Sequence, residues 1–313
     1  MLKILIAETK DFSEKAVKAC QEFAEVDLRD IGNDDVEDAL NSYDVFWCRL
    51  GFKLTADRIL GADKCKFIIC PVTGLDHIDL VACEQKGITV ISLKGETTFL
   101  KKVRATAELT LALTLALFRN VPKAVQSTIE GTWNREPFKG IEIFEKKIGI
   151  LGFGRLGQIT AAYFKTMGAD VYVYDVKDIN TNEFTVVSSM NELFATVDVV
   201  SIHVNLNAEN KHLVKAEQIN QMKRGGYIIN TSRGQLVRSK DLVRALEDGQ
   251  LAGAAVDVIE EEFNHQSDLL LSYCANHQNL MITPHIGGNT YESFAKTELY
   301  MVEKLKQKLN KAL

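Results

Sequence analysis

The sequence predicts an α/β protein made of two doubly wound parallel-sheet domains. Three observations point there. Short apolar runs alternate with helical stretches along the whole chain, the pattern of parallel strands covered by helices. The alternation comes in two series, separated by one long helical stretch. The length, 313 residues, fits about two domains at roughly 150 residues each.

In the first series Lys3–Ala7 reads as a strand and Asp11–Phe23 as a helix. Strands follow at Asp44–Cys48, Lys66–Cys70 and Ile88–Ser92. Asp79–Lys86 reads as a helix, with Gly87 as its C-terminal stop. Leu100–Arg119 is a long helical stretch, rich in Ala and Leu and apolar nearly all the way round, so it is expected to be buried between domains or between subunits. A loop with Gly131, Trp133 and Pro137 comes next. The second series has strands at Lys147–Leu151, Asp170–Tyr174, Val197–Ile202, Gly226–Asn230, Ala254–Asp257 and Leu280–Thr283.

Composition narrows the function. The chain is 46% hydrophobic and 25% charged, as ordinary globular proteins are. A net charge of −5 with no basic arm gives no reason to expect a nucleic-acid partner. The N-terminus is apolar for too few residues to form a signal peptide. The longest apolar stretch, Leu109–Phe118, is interrupted by Thr110 and Thr114 and falls short of the ~20 residues that span a bilayer. A cytoplasmic protein without a membrane partner is expected. The six cysteines form no C-x-x-C pair, and Cys48 and Cys70 sit in apolar runs, where thiols act as small hydrophobes. No metal is expected.

Gly152-Phe-Gly154-Arg155-Leu156-Gly157 follows a predicted strand and opens a helix. In that context the glycines have separate tasks. Gly152 permits the sharp turn, Gly154 lets the backbone approach a pyrophosphate, and Gly157 allows close helix–strand packing. The helix N-terminus favours the negative charge. Asp175 ends the next strand, 18 residues after Gly157. A carboxylate there accepts hydrogen bonds from ribose hydroxyls and repels a ribose 2′-phosphate, so NAD is expected in preference to NADP, with Lys177 keeping NADP open.

Hydride transfer on a 2-hydroxy acid needs a cation for the carboxylate, a histidine to move the hydroxyl proton, and a carboxylate to orient that histidine and stabilise its charged form. The late part of the chain offers Arg233, His285 and Glu262, each after a predicted strand. Ligands in open parallel sheets sit beyond the carboxyl ends of the strands, so these positions can converge. A lone histidine is more often an ordinary surface or core residue, and His203, His212, His265 and His277 read that way by themselves; His77, in a loop, is intermediate.

These segments resemble the D-isomer-specific 2-hydroxyacid dehydrogenases, the group that includes phosphoglycerate dehydrogenase, and the resemblance covers nearly the whole chain. Val72-Thr-Gly-Leu-Asp-His-Ile-Asp79 resembles the family's substrate loop, Ala107-Glu108 the start of its interdomain helix, Met222–Gly234 its arginine segment and Pro284–Gly288 its histidine segment. The resemblance implies two Rossmann-like domains with the active site in the cleft between them. It implies a discontinuous substrate domain, 1–98 plus 287–313, and an NAD-binding domain, 99–286. It assigns the carboxylate to Arg233, acid/base work to His285 and its tuning to Glu262. Asp257 and His203 are assigned to the cofactor, and Val72, Thr73 and Gly74 to the substrate. Arg49 resembles an arginine placed near a substrate phosphate. A homodimer acting on a small 2-hydroxy or 2-oxo acid is implied, with 3-phosphoglycerate or a related acid within the class.

The sequence departs from the family pattern at three places. Phe263 stands where a proline usually follows the catalytic glutamate, Val72 replaces a glycine, and Asn205 replaces a proline. Glu260 and Glu261 precede Glu262, so the carboxylate could be a neighbour; the 23 residues from Glu262 to His285 match the family spacing and select Glu262. An alternative of a different class is an NAD-sensing binding protein with weak or no turnover, because a fold alone does not fix function.

Overall fold

Two parallel sheets organise the chain. The first holds β1 (Leu2–Ile6), β2 (Ala24–Leu28), β3 (Val45–Trp47), β4 (Phe67–Cys70) and β5 (Thr89–Ser92), in the order β2-β1-β3-β4-β5. The second holds β6 (Lys147–Leu151), β7 (Asp170–Tyr174), β8 (Thr185–Val186), β9 (Val199–Ile202), β10 (Gly226–Asn230), β11 (Leu251–Val256) and β12 (Leu280–Ile282), in the order β12-β11-β10-β9-β6-β7-β8. Every strand pair is parallel. The computed structural model describes residues 1–312, with the backbone alone for residues 311 and 312.

Successive strand residues face opposite sides, so a strand covered on both faces is apolar throughout. In the first sheet Ile4, Ile6, Val45 and Trp47 pack on one side, and Leu5, Phe46, Ile68 and Cys70 on the other. The second sheet divides likewise, with Ile148, Ile150 and Val173 on one face and Val200, Ile202 and Ile228 on the other. That double burial is why these strands read as continuous apolar runs.

The chain divides into two units: Met1–Val103 with the chain from Asn289 onward, and Arg104–Gly288. The boundaries fall at Val103/Arg104 and Gly288/Asn289 rather than at 98/99 and 286/287. Leu100 and Val103 still pack in the first unit's core. Gly287 lies so close to Asp257 and Thr106 of the second unit that a Cβ there would sit 3.0 Å from the Asp257 carboxylate.

The long helical stretch is not one helix. A short helix, Thr97–Leu100, ends before a second, Ala105–Phe118, begins. The buried face of the second, including Leu113, Leu117 and Phe118, belongs to the core of its own unit. Asn120 takes a left-handed φ of 51°, and a further helix, Val121–Ile129, restarts where a loop was expected. The stop at Gly87 is present: its φ is 73°, and its N–H caps the helix Leu80–Lys86, whose N-cap Asp79 accepts from Ala82 N. Among the described residues no helix is long and apolar enough to cross a membrane.

Candidate active site

Register puts the candidate residues of the second unit on one edge. Tyr174, Leu151, Ile202, Asn230, Val256 and Ile282 are aligned across six neighbouring strands. Asp175, Gly152, His203, Arg233, Asp257 and His285 each follow one of these residues by one to three positions. The order of strands reverses between β6 and β9, and Gly152 and His203 stand at that switch point, where open α/β sheets bind ligands.

Two of the three glycines are set by close approach. Gly152 has φ 91°, and a Cβ there would lie 2.7 Å from the His203 carbonyl oxygen. A Cβ on Gly157 would lie 2.0 Å from the Gly152 carbonyl oxygen, so the helix Arg155–Thr166 can meet the turn only without a side chain. Gly154 has nothing within 4 Å of its Cβ position, and no side chain caps the helix it opens. Asp175 Oδ2 accepts from Phe153 N at 2.8 Å, and Oδ1 accepts from Lys177 N at 3.0 Å, which holds the carboxylate against the turn. Leu156 and Arg155 are half-buried, and burial lowers the Arg155 pKa. His203 Nε2 and Ser201 Oγ share a hydrogen bond of 2.8 Å, while Nδ1 is buried without a partner. Burial holds the His203 pKa down to about 4, so the ring is neutral near pH 7. Open space at Gly154, a helix start without a side-chain cap and an orphaned ring nitrogen fit a dinucleotide with its pyrophosphate at the helix start.

Arg233 sits in a turn built by its neighbours. Asn230 Nδ2 donates to the Arg233 carbonyl at 2.9 Å, Asn230 Oδ1 accepts from Ser232 N at 3.0 Å, and Ser232 Oγ donates to the Ile202 carbonyl at 2.8 Å. Arg233 Nη1 donates to the Ser232 carbonyl at 2.8 Å, which orients the guanidinium. Gly234 is pressed against the next loop: its Cβ position lies 1.9 Å from the Ile259 carbonyl carbon.

His285 Nδ1 and Glu262 Oε2 are 2.7 Å apart. Of the three consecutive glutamates this is the one that meets His285. Glu260 pairs with His212, and Glu261 is exposed. His285 has φ 53°, an uncommon conformation for a non-glycine residue. Asp257 holds it there. Oδ1 accepts from Thr283 Oγ1 at 2.5 Å and from Ile286 N at 2.8 Å, and Oδ2 accepts from Gly287 N at 2.7 Å. The His285 N–H donates to the Asp257 carbonyl at 2.8 Å. Burial raises the Asp257 pKa against these hydrogen bonds. Asn230, Ser232 and Thr283 were not singled out by sequence; their signal is their place beside Arg233 and His285.

The remaining candidates lie in the first unit. Val72, Thr73 and Gly74 follow β4; Val72 N donates to the Cys70 carbonyl at 2.8 Å, and Thr73 is exposed. Arg49 follows β3. Its Nη2 is 2.6 Å from Glu298 Oε1, its Nη1 donates to the Lys10 carbonyl at 2.9 Å, and its Cζ lies 3.9 Å from the Phe294 ring centroid. Glu298 is fully buried; burial raises its pKa, and the Arg49 guanidinium works against that rise. A substrate phosphate at Arg49 would have to compete with that carboxylate, which weakens the reading of Arg49 as a receptor for a distal anion. All six cysteines are free, and among the described residues no group of three or more His, Cys, Asp and Glu could hold a metal.

Known proteins resemble this chain in sequence and fold. Residues 111–287 match the family described as D-isomer specific 2-hydroxyacid dehydrogenase, NAD binding domain. A D-3-phosphoglycerate dehydrogenase of Methanocaldococcus jannaschii is 34% identical over 99% of this chain, and this chain spans only 58% of its length. A hydroxypyruvate reductase of Thermotoga maritima is 31% identical, with 92% of both chains covered. Among solved structures, a D-lactate dehydrogenase from Aquifex aeolicus complexed with NAD and lactic acid has a TM-score of 0.83 at 25% identity, covering 98% of this chain and 95% of that one. The glycine turn, the acidic residue beside it and the late arginine, glutamate and histidine therefore fall within a family match that takes in over half the chain, which belongs to the D-isomer-specific 2-hydroxyacid dehydrogenases.

Proposed function

We propose that this chain is an NAD-dependent dehydrogenase that interconverts a small 2-hydroxy acid and its 2-oxo acid. The observation that carries the reading is the His285–Glu262 pair, 2.7 Å apart, on the same sheet edge as Arg233 and the glycine turn. In reduction, the guanidinium fork of Arg233 holds the substrate carboxylate. Glu262 engages Nδ1, so Nε2 of His285 is the nitrogen that gives its proton to the carbonyl oxygen as negative charge develops there. Glu262 stabilises the imidazolium until that proton leaves. Bound NADH supplies the hydride. In oxidation neutral His285 takes the hydroxyl proton. The second unit serves the cofactor and supplies Arg233, Glu262 and His285, and the first adds Val72, Thr73 and Gly74 for the substrate.

The two named relatives differ in whether the acid carries a phosphate. The Arg49–Glu298 pair favours an acid without one. The test is consumption of NADH by the purified protein with glyoxylate, pyruvate, hydroxypyruvate and 3-phosphohydroxypyruvate. Turnover of at least one is expected, with hydroxypyruvate ahead of its phosphate ester. Tight NADH binding with no turnover of any would leave the NAD-sensing reading in its place.

The cofactor is NAD. Asp175→Ala removes a charged acceptor for ribose hydroxyls and the repulsion of a 2′-phosphate, a charge-assisted bond being worth roughly 1.5–3 kcal/mol. Selectivity for NAD over NADP is expected to fall by about tenfold or more. Because Asp175 also accepts from Phe153 N, Asp175→Asn, which keeps an acceptor, separates loss of charge from loosening of the turn. An unchanged NAD/NADP ratio in both variants would refute the assignment.

The protein acts as a homodimer. The helix Val121–Ile129 buries none of its residues within the chain, leaving Val121, Val125 and Ile129 exposed at four-residue spacing, and Trp133 is 93% exposed. Apolar stripes of this kind mark association surfaces. Sedimentation equilibrium returning the mass of one chain would dismiss this.

A further inference from the structure

We infer that Glu260 is a positioning residue, paired with His212, that locks the Arg233 turn to the Glu262 loop. The inference rests on the dehydrogenase reading of the site.

Glu260 is a junction of three segments. Its Oε1 accepts from Ser239 N at 2.7 Å, its Oε2 lies 2.7 Å from His212 Nε2, and its backbone carbonyl accepts from Gln235 Nε2 at 2.7 Å. The His212 N–H in turn donates to the Gln235 carbonyl at 2.7 Å, closing the ring of contacts. At its centre Gly234 lies against the backbone of Ile259 and Glu260, so closely that a Cβ would come within 1.9 Å of Ile259 and 2.5 Å of Glu260 N. Arg233 is the residue before Gly234, and Glu262 is two residues beyond Glu260. The two loops carrying the carboxylate-binding arginine and the partner of His285 are thus fastened at one point.

The junction is charged and mostly out of water, with 27% of the His212 and 20% of the Glu260 side chain exposed. Burial works to raise the Glu260 pKa, but the Ser239 amide and His212 outweigh it and hold it below the ordinary carboxylate value. His212 has a φ of 56°, a conformation uncommon for non-glycine residues. Glu260 bonds to His212, Ser239 and Gln235, so its effect on Arg233 and His285 runs through the backbone they share with those contacts. Such an effect is large only where geometry is critical, and a misplacement of about 1 Å far from the chemistry can cost about 10²-fold.

The test uses Glu260→Ala and Glu260→Gln, each in the wild-type and Arg233→Lys backgrounds. Glu260→Ala is expected to lower kcat/KM for the 2-oxo acid by about 10–10²-fold, with the KM for NADH within about twofold. Glu260→Gln keeps an oxygen for Ser239 N and an amide for His212, and should recover most of the loss. In the Arg233→Lys background the loss should shrink, since the fork that Glu260 positions is already gone; independent sites would add. Hydrogen exchange read on the same proteins should rise together at 231–239 and 258–263 in Glu260→Ala. A kcat/KM unchanged in Glu260→Ala, full additivity with Arg233→Lys, or faster exchange at 258–263 alone would overturn the inference. If the wild type turns over no 2-oxo acid, the dehydrogenase reading fails, and the exchange pattern alone decides whether Glu260 joins the two loops.

Discussion

His285→Gln is expected to slow 2-oxo acid reduction by about 10²–10⁴-fold, the range general acid–base catalysis contributes. Glutamine keeps a polar side chain of similar reach but cannot donate a proton and recover it. The loss should fall on kcat more than on the substrate KM, since Arg233 remains to bind the carboxylate. NADH affinity should hold, because the glycine turn and Asp175 lie at the other side of the switch point, along β6 and β7. Steady-state kinetics with NADH titrated by fluorescence check both parts. A variant that loses NADH binding in proportion to its rate would give His285 a structural role instead. The positive φ of 53° at this residue makes that control necessary, because a substitution there can disturb the loop as well as the ring.

Gly234→Ala should be nearly as damaging without touching a reacting group. The added Cβ would lie 1.9 Å from both the carbonyl carbon and oxygen of Ile259, and both are backbone. No side chain can rotate away, so one of the two loops must move. Overpacking of this kind typically costs about 1–3 kcal/mol of stability. The displacement falls on the residue after Arg233, so a drop in kcat/KM of about 10²-fold is expected even in the molecules that fold. Thermal unfolding and kcat/KM on the same preparation separate the two effects. A Gly234→Ala protein with wild-type kcat/KM would mean that Arg233 does not depend on this contact.

Much of this was legible in the sequence because it is local. Lys147–Leu151, Asp170–Tyr174 and Gly226–Asn230 are strands with the bounds their sequence runs suggest, since their interior residues are buried or half-buried and none is charged. The glycine turn is legible because Gly152 and Gly157 answer contacts within a few residues or on the neighbouring strand. The pairing of His285 with Glu262 follows from spacing along two adjacent strands, β11 and β12.

What was missed is either distant in sequence or weakly patterned. Nothing local pairs Arg49 with Glu298, 249 residues away, which the C-terminal helix Tyr291–Ala312 brings against it. The His212–Glu260 pair spans 48 residues, and nothing local marks Glu260 as the partner of His212. The edge strand β2, Ala-Glu-Val-Asp-Leu, carries two acidic residues and has a partner on one side only, so its apolar signal is faint. The helix Val121–Ile129 buries nothing within the chain, and burial is what makes a helix readable. The break near residue 101 falls where the chain leaves one core for another, which a run of Ala and Leu does not record.

The most direct measurement is the pH profile of kcat/KM for the Glu262→Gln variant beside wild type, with Glu261→Gln as a control. Reduction needs protonated His285, so activity falls on the alkaline side as the imidazolium loses its proton. Glu262→Gln keeps the shape and removes the charge that favours the imidazolium, 2.7 Å from Nδ1. The alkaline limb should therefore move to lower pH, and in the oxidation direction the rising limb should move the same way. Glu261→Gln, an exposed side chain, should leave both limbs in place. A limb that stays put in Glu262→Gln, or moves only in Glu261→Gln, would contradict the assignment of His285 and Glu262 as the proton-transfer pair.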